Sequence, residues 1–475
     1  MSSRRQFIAG MASAPAAQRA TEKRAGGFRA GAATANITPL LGVSLNGTIM
    51  QIGPAKHVHD ELHARCLVLD DGQTRLAIVI CDNTMIHAQA FDRAKALVEQ
   101  CTGLAANRML MAATHTHSAP RTIGISHAPA DRNYEEFLVG RIADCVCIAI
   151  NNLAPATIGW GIGRKPEYVF NRRWIMKAGT IPPDPFGGTT DRARMNPGKD
   201  AVANLVESAG PVDPEVSVVS VQRLDGRPLA LLANYGLHYV GEFVSGEITA
   251  DYYGFFAARV AELIPEKAGD QPFVGIMSNG TSGDVARHNW QAPEPAAPPY
   301  QRMRQVADGV AEEVARICRG MDHRESARLA MRETELELGV RRPGADRLAW
   351  ARKLAALAEG KKNLTRPEIY ARETLLLSEY PATVKLKLQA LRIGEMGVAA
   401  IPCEVFAETG LAIKAQSALK PAFVIELANG YGGYLPTARQ HELGGYETWA
   451  ARSSFLEVSA EEKIRSAVLS MLRQV

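Results

Sequence analysis

Several kinds of feature are scarce or missing in this chain of 475 residues. Its seven cysteines (Cys66, Cys81, Cys101, Cys145, Cys147, Cys318, Cys403) include no C-x-x-C pair and are odd in number. Neither a disulfide framework nor a thiolate zinc site is therefore indicated, and buried free thiols are expected. No run of about 18 or more apolar residues occurs, so no membrane-spanning helix is expected. Long blocks of one charge are also missing: 54 basic residues against 50 acidic ones are spread along the chain, for a net charge of +4. Without a basic block to track a phosphate backbone, nucleic acid is not an expected partner.

What is present belongs to a globular protein, with 46% hydrophobic and 22% charged residues. The N-terminus reads Ser3-Arg4-Arg5-Gln6-Phe7-Ile8 and then a weakly apolar stretch from Ala9 to Ala17, which resembles a twin-arginine export signal. Residues 1–25 are accordingly set apart as a signal or tail, and 26–475 are read as a single domain. Export would place the protein in the periplasm or outside the cell; a tail without export function would leave it in the cytoplasm.

From Gly26 strand-like apolar runs alternate with amphipathic helical stretches. Residues 65–69 and 76–80 flank an Asp-Asp-Gly turn and predict a hairpin, and 216–221 with 229–235 around Asp225-Gly226 predict a second. Helices are expected at 88–100 and 134–151, and short buried strands at 109–113 and 273–277. The stretch 175–210, rich in Pro, Gly, Asp and Asn, reads as a long surface excursion of the kind that covers active sites. The charged stretches 302–318 and 345–378 read as solvated helices. Strands return at 383–393 and 398–401, and no internal repeat is apparent in the sequence. The fold class is mixed α/β: a large mixed sheet flanked by helices, with the site at strand ends.

Chemistry is concentrated in Thr114-His115-Thr116-His117-Ser118, an H-x-H directly after a buried strand. In an extended backbone, residues i and i+2 share a face, so two imidazoles can meet one metal or one substrate atom; core histidines satisfied by a hydrogen bond give the same pattern. His238 ends another apolar run, and Glu404 follows Ile401-Pro402-Cys403, where a buried carboxylate needs a cation or an arginine. His57, His59 and His63 also cluster, which invites a metal site, but no ligand role is expected of them. For His288, His323 and His441 solvent exposure is the expectation.

These pieces, in this order, resemble the neutral (non-lysosomal) ceramidase family, whose catalytic domain is a zinc amidohydrolase. The resemblance runs from about Gly31 to Leu456. It rests on Ala35-Asn36-Ile37-Thr38-Pro39, the T-H-T-H-S segment, Asn171-Arg172, Val212-Asp213-Pro214-Glu215, Gly283-Asp284-Val285 and Asn429-Gly430-Tyr431-Gly432-Gly433-Tyr434. It implies Zn2+ held by His115, His238, Glu404 and Tyr434, with His117, Arg172 and Tyr446 as catalytic residues beside the metal. The implied reaction is attack of zinc-bound hydroxide on the carbonyl of a small-molecule or lipid amide. A zinc esterase or lactonase, and a binding protein that retains the metal without turnover, are the alternatives.

Two departures bear on the substrate. The family pattern G-D-V-S-P-N is here Gly283-Asp284-Val285-Ala286-Arg287-His288, without the serine hydroxyl, which predicts a substrate choice other than ceramide. The chain also stops about where the family's catalytic domain ends, with no counterpart of the C-terminal immunoglobulin-like domain. The charged region 319–380 departs from the family pattern as well, and is expected to reshape the entrance to the site.

Overall fold

The computed structural model describes residues 27–45, 47, 53–124, 130–264, 272–361 and 363–475, so the candidate export signal lies outside the described residues. Eight strands form the larger sheet: β1 (Arg29–Asn36), β2 (His63–Asp70), β3 (Arg75–Cys81), β4 (Met109–Ala113), β5 (Ala154–Arg164), β6 (Glu215–Arg223), β7 (Pro228–Tyr235) and β8 (Val274–Asn279). Their spatial order is β8-β7-β6-β5-β1-β2-β3-β4. A second sheet holds β9 (Leu329–Gly339), β10 (Thr383–Ile393), β11 (Met396–Ala400) and β12 (Ala422–Ile425) in that order.

The helices are α1 (Ala88–Thr102), α2 (Arg132–Asn151), α3 (Asp251–Leu263), α4 (Gln301–Arg319), α5 (Ala345–Leu357), α6 (Arg366–Ser378), α7 (Ala407–Gln416) and α8 (Ala460–Leu472), besides the six-residue helix Ala438–Leu443. Both expected hairpins form, with β2 antiparallel to β3 and β6 antiparallel to β7.

The near-continuous apolar runs of the strands follow from burial on both faces. In β3, Ala77, Val79 and Cys81 pack with α1 and α2. Leu76, Ile78 and Ile80 point the other way, into a core shared with Leu391, Ile393, Val398 and Phe423 of the second sheet. The outer face of that sheet is covered by α7 and α8 through Ile413, Ile464, Val468 and Leu472. The result is four layers, helices on sheet on sheet on helices.

A repeat is present after all, in topology. Each unit is an antiparallel meander of three strands, a helix, a fourth strand parallel to the third, and a second helix. The first unit is β1-β2-β3-α1-β4-α2, the second β5-β6-β7-α3-β8-α4, and the third β9-β10-β11-α7-β12-α8 with α5 and α6 inserted after β9. A sequence search misses it because only the order of elements is shared. The units meet where their fourth strands end: Ala112 bridges Ala428, and the Glu426 amide donates to the Asn279 carbonyl at 3.2 Å.

Three sequence expectations need correction. Cys101 and Cys147 are joined by a disulfide across α1 and α2, while Cys66, Cys81, Cys145 and Cys403 are buried thiols and Cys318 is half-buried. The stretch 302–318 is not merely solvated: one stripe of α4, including Met303, Val306, Val310 and Val314, is in the core against β6, β7 and α3. The excursion 175–210 is partly structured, since Ala193–Met195 and Leu205–Ser208 both pair with the strand Arg173–Met176. Among the described residues no helix is long and apolar enough to cross a membrane.

Candidate metal centre

The site lies in the loops that follow the third and fourth strands of the units, the ends where α/β sheets commonly bind ligands. After β4 the chain turns at His115, whose φ of 74° is left-handed. The H-x-H pair therefore does not converge by extended alternation as the sequence suggested. The kink sets the His115 and His117 rings perpendicular, 88° apart, with their Nε2 atoms 3.2 Å from each other.

Thr84, in the loop after β3, holds this turn. Its hydroxyl donates to the carbonyls of Thr116 and Ala119, and its own carbonyl lies 2.7 Å from Nδ1 of His115.

His238 follows β7. The hydroxyls of Tyr252 and Tyr253 donate to the Leu237 carbonyl before it, and Asp251 accepts the amides of Val240 and Gly241 after it. Its Nδ1 lies 3.1 Å from the Ser282 carbonyl. In both histidines a carbonyl beside Nδ1 fixes the proton there and leaves the Nε2 lone pair free, the tautomer that suits a metal ligand.

Glu404 comes after β11 and pairs in register with Tyr434 through a short parallel ladder. Its backbone sits against Gly283, where a Cβ would come within 2.5 Å of the Glu404 carbonyl oxygen, so only glycine fits there. Oε1 accepts the Tyr431 hydroxyl at 3.0 Å. Oε2 is 3.3 Å from Nε2 of His115 and 3.9 Å from Nε2 of His238. Burial alone would raise the Glu404 pKa, but the adjoining His115 imidazole and the Arg172 guanidinium outweigh it and hold the carboxyl below its usual range.

His115, His117 and His238 are the one group of three close metal-ligand atoms among the described residues. Nε2 of His238 and Oε2 of Glu404 are buried without a hydrogen-bond partner. Leaving such atoms unpaired costs about 1–3 kcal/mol each or more, so the donor set fits a cation. Two ligands of one tetrahedral zinc, with bonds of about 2.0–2.1 Å, stand roughly 3.3 Å apart. The spacings of His115 to His117 and to Glu404 both match that distance, so geometry alone also admits His117, which the resemblance keeps off the metal.

All seven residues singled out from sequence, His115, His117, Arg172, His238, Glu404, Tyr434 and Tyr446, line one cavity of about 360 Å³. Arg172 is placed by its amide, which donates to the Asp284 carbonyl, and by Glu447, which accepts from its Nε at 3.0 Å. The guanidinium lies 5.4 Å from the Tyr434 ring centre, and its Nη2 has no hydrogen-bond partner. His117 stacks on Tyr239 at 3.6 Å; burial, reinforced by His115 and Arg172, pushes its pKa well down and keeps the ring neutral. Burial likewise pushes the hydroxyls of Tyr434 and Tyr446 up.

Other expectations fare differently. Ala286 is buried, pairs with Phe170 and is not among the residues that line this cavity. His59 stacks on Tyr300 and takes no part in a metal cluster. His288, His323 and His441 are half-buried instead of exposed. Sequence reasoning assigned no role to Thr84, Ser282, Tyr239 or Glu447. Their contributions run through backbone carbonyls, stacking or a buried ion pair, which leave no motif; Tyr431 alone stood inside a quoted motif.

The whole arrangement is that of a neutral-ceramidase-like fold. Over 94% of its length the chain superposes on neutral ceramidase from Pseudomonas aeruginosa with a TM-score of 0.70 and 17% identity, covering 74% of that chain. A structure described as a ceramidase complexed with C2 matches with a TM-score of 0.69 and 15% identity, over 94% of this chain and 75% of the other. No family model and no curated protein sequence matches the chain.

Proposed function

We propose that this protein is a zinc-dependent hydrolase of an N-acyl (amide) bond, with the ion held by His115, His238, Glu404 and Tyr434. The observation that carries this reading is the meeting of buried donor groups from three structural units at one cavity, two of whose atoms, Nε2 of His238 and Oε2 of Glu404, have no hydrogen-bond partner. Its likeness in fold to two ceramidase structures supports an amide as the bond cleaved. Zinc, when bound, would lower the pKa of a coordinated water toward about 7 and polarise a carbonyl.

The protein's own groups divide the remaining work. Arg172 presents its unpartnered Nη2 to the negative charge that develops on the carbonyl oxygen. His117, neutral and with Nδ1 unpartnered, carries a proton from the attacking water to the leaving nitrogen. Tyr446, with its ring 5.7 Å from that of Tyr434, holds the reacting group against the floor. We also read 26–475 as one catalytic domain, because the donors come from all three units, and residues 1–25 as an export signal. Sequencing the mature N-terminus from fractionated cells tests the export reading.

Dialysis against a chelator is expected to lower turnover of N-acyl amides by at least about 100-fold, with recovery on adding zinc. Turnover indifferent to the chelator would overturn the mechanism, and a panel including esters and lactones reads the bond preference. His117→Ala is expected to keep its zinc while losing roughly 100-fold or more in kcat. Loss of zinc in that variant, read by elemental analysis, would move His117 into the ligand set.

A further inference from the structure

Resting on the amidase reading, we propose that the substrate is compact and carries a carboxylate, which Arg194 and Arg366 bind at the cavity rim. Size is the first ground. The cavity of about 360 Å³ stands at the low end of the roughly 300–1,000 Å³ of small-molecule sites. A two-chain lipid amide cannot be enclosed there.

The size is set by the excursion between Lys177 and Asn196 and by the inserted helices. Phe186 is seated between Trp350 and Tyr370, with ring centres 5.5 Å away in each case, and the Arg347 guanidinium lies 3.3 Å above it. This cage pins the excursion over the site, so that Ile181, Pro182 and Pro183 form part of its lining. Tyr370 in turn meets Trp449, another lining residue, at 5.6 Å.

Charge is the second ground. Four arginines line the cavity, Arg121, Arg172, Arg194 and Arg366, against two carboxylates, Asp191 and Glu404. Glu404 belongs to the donor cluster, and Asp191 accepts the indole N–H of Trp449 at 2.8 Å. Arg172 is matched by Glu447. Arg194 and Arg366 form no ion pair with any described residue.

Single exposed arginines are ordinary. Two that open onto one small cavity without a carboxylate paired to either focus positive potential into it. The donor cluster is buried and Arg366 is exposed, so the cavity runs from a reacting floor to a cationic rim. A carboxylate is a compact oxyanion, smaller than a phosphate, and the guanidinium fork matches it in two hydrogen bonds.

The test compares N-acetylphenylalanine with its neutral carboxamide on the zinc-loaded protein. Calorimetry reads binding, and acetate release reads kcat/KM. The carboxylate is expected to bind at least about tenfold more tightly, and the double variant Arg194→Gln/Arg366→Gln to erase that ratio. Equal binding of the two compounds, a ratio untouched in the double variant, or no binding of either compound overturns the proposal. So does a long-chain ceramide that binds more tightly than both. Carboxylate-selective binding without acetate release from either compound supports the anion site and overturns the amidase reading.

Discussion

His238→Ala is expected to strip the protein of metal and of amide hydrolysis together. Elemental analysis should fall from about one equivalent of zinc to under about a tenth, and turnover by at least about 10⁴-fold. The argument is geometric. His238 is 1% exposed, and its Nδ1 is committed to the Ser282 carbonyl, which leaves Nε2 to face the donor cluster with no other partner. An alanine there removes one donor and leaves Oε2 of Glu404 with a weaker claim on a cation. Far-ultraviolet circular dichroism should match that of the parent, because the flanking turn is held by Asp251, Tyr252 and Tyr253 and not by the imidazole. Full zinc occupancy in the variant would refute the assignment.

Glu447→Ala is expected to give the largest loss of stability, about 3–5 kcal/mol, read as a fall in the denaturant midpoint at unchanged slope. The Glu447 carboxylate is fully buried and shared by two arginines, accepting from Nε of Arg172 and Nη1 of Arg173. Arg173 is itself fully buried; its other partners are the side chain of Gln440 and the carbonyls of Gln440 and Gly444. Without Glu447 two guanidinium charges remain in a low-dielectric interior with no anion between them. Activity should fall with stability, since the same carboxylate sets the direction of the Arg172 fork. A midpoint equal to that of the parent would mean that the cluster contributes nothing to the fold.

The strands and most helices were legible because their apolar periods are strong. The hairpins at 65–80 and 216–235 each had an Asp-Gly turn, and burial on both faces wrote β3, β4 and β11 as unbroken apolar runs. The three candidate donors His115, His238 and Glu404 were visible for a related reason: each interrupts or ends such a run with a group that is costly to bury. Their common focus was not visible, since residues 115, 238 and 404 approach one another only when the units pack. Tyr434 and Arg172 drew notice only through the family resemblance, because a tyrosine or arginine at the end of an ordinary stretch has no distinguishing period.

Reading α4 as solvated failed by counting charges instead of following the stripe of Met303, Val306, Val310 and Val314. The three-unit plan was hidden because strand order, unlike helical or strand period, leaves no trace in local composition. The disulfide was hidden too, as Cys101 and Cys147 are 46 residues apart and on different helices.

The threefold plan also sets when the donors can first meet. His115 belongs to the first unit, His238 to the second, and Glu404 and Tyr434 to the third. On the ligand set proposed above, a growing chain that has reached the end of α4 would hold two of the four donors and neither the carboxylate nor the phenol, so its grip on a cation would be weaker than that of the finished chain. Under that proposal only the folding of the last unit would complete the centre, and every shorter nascent form would be inert.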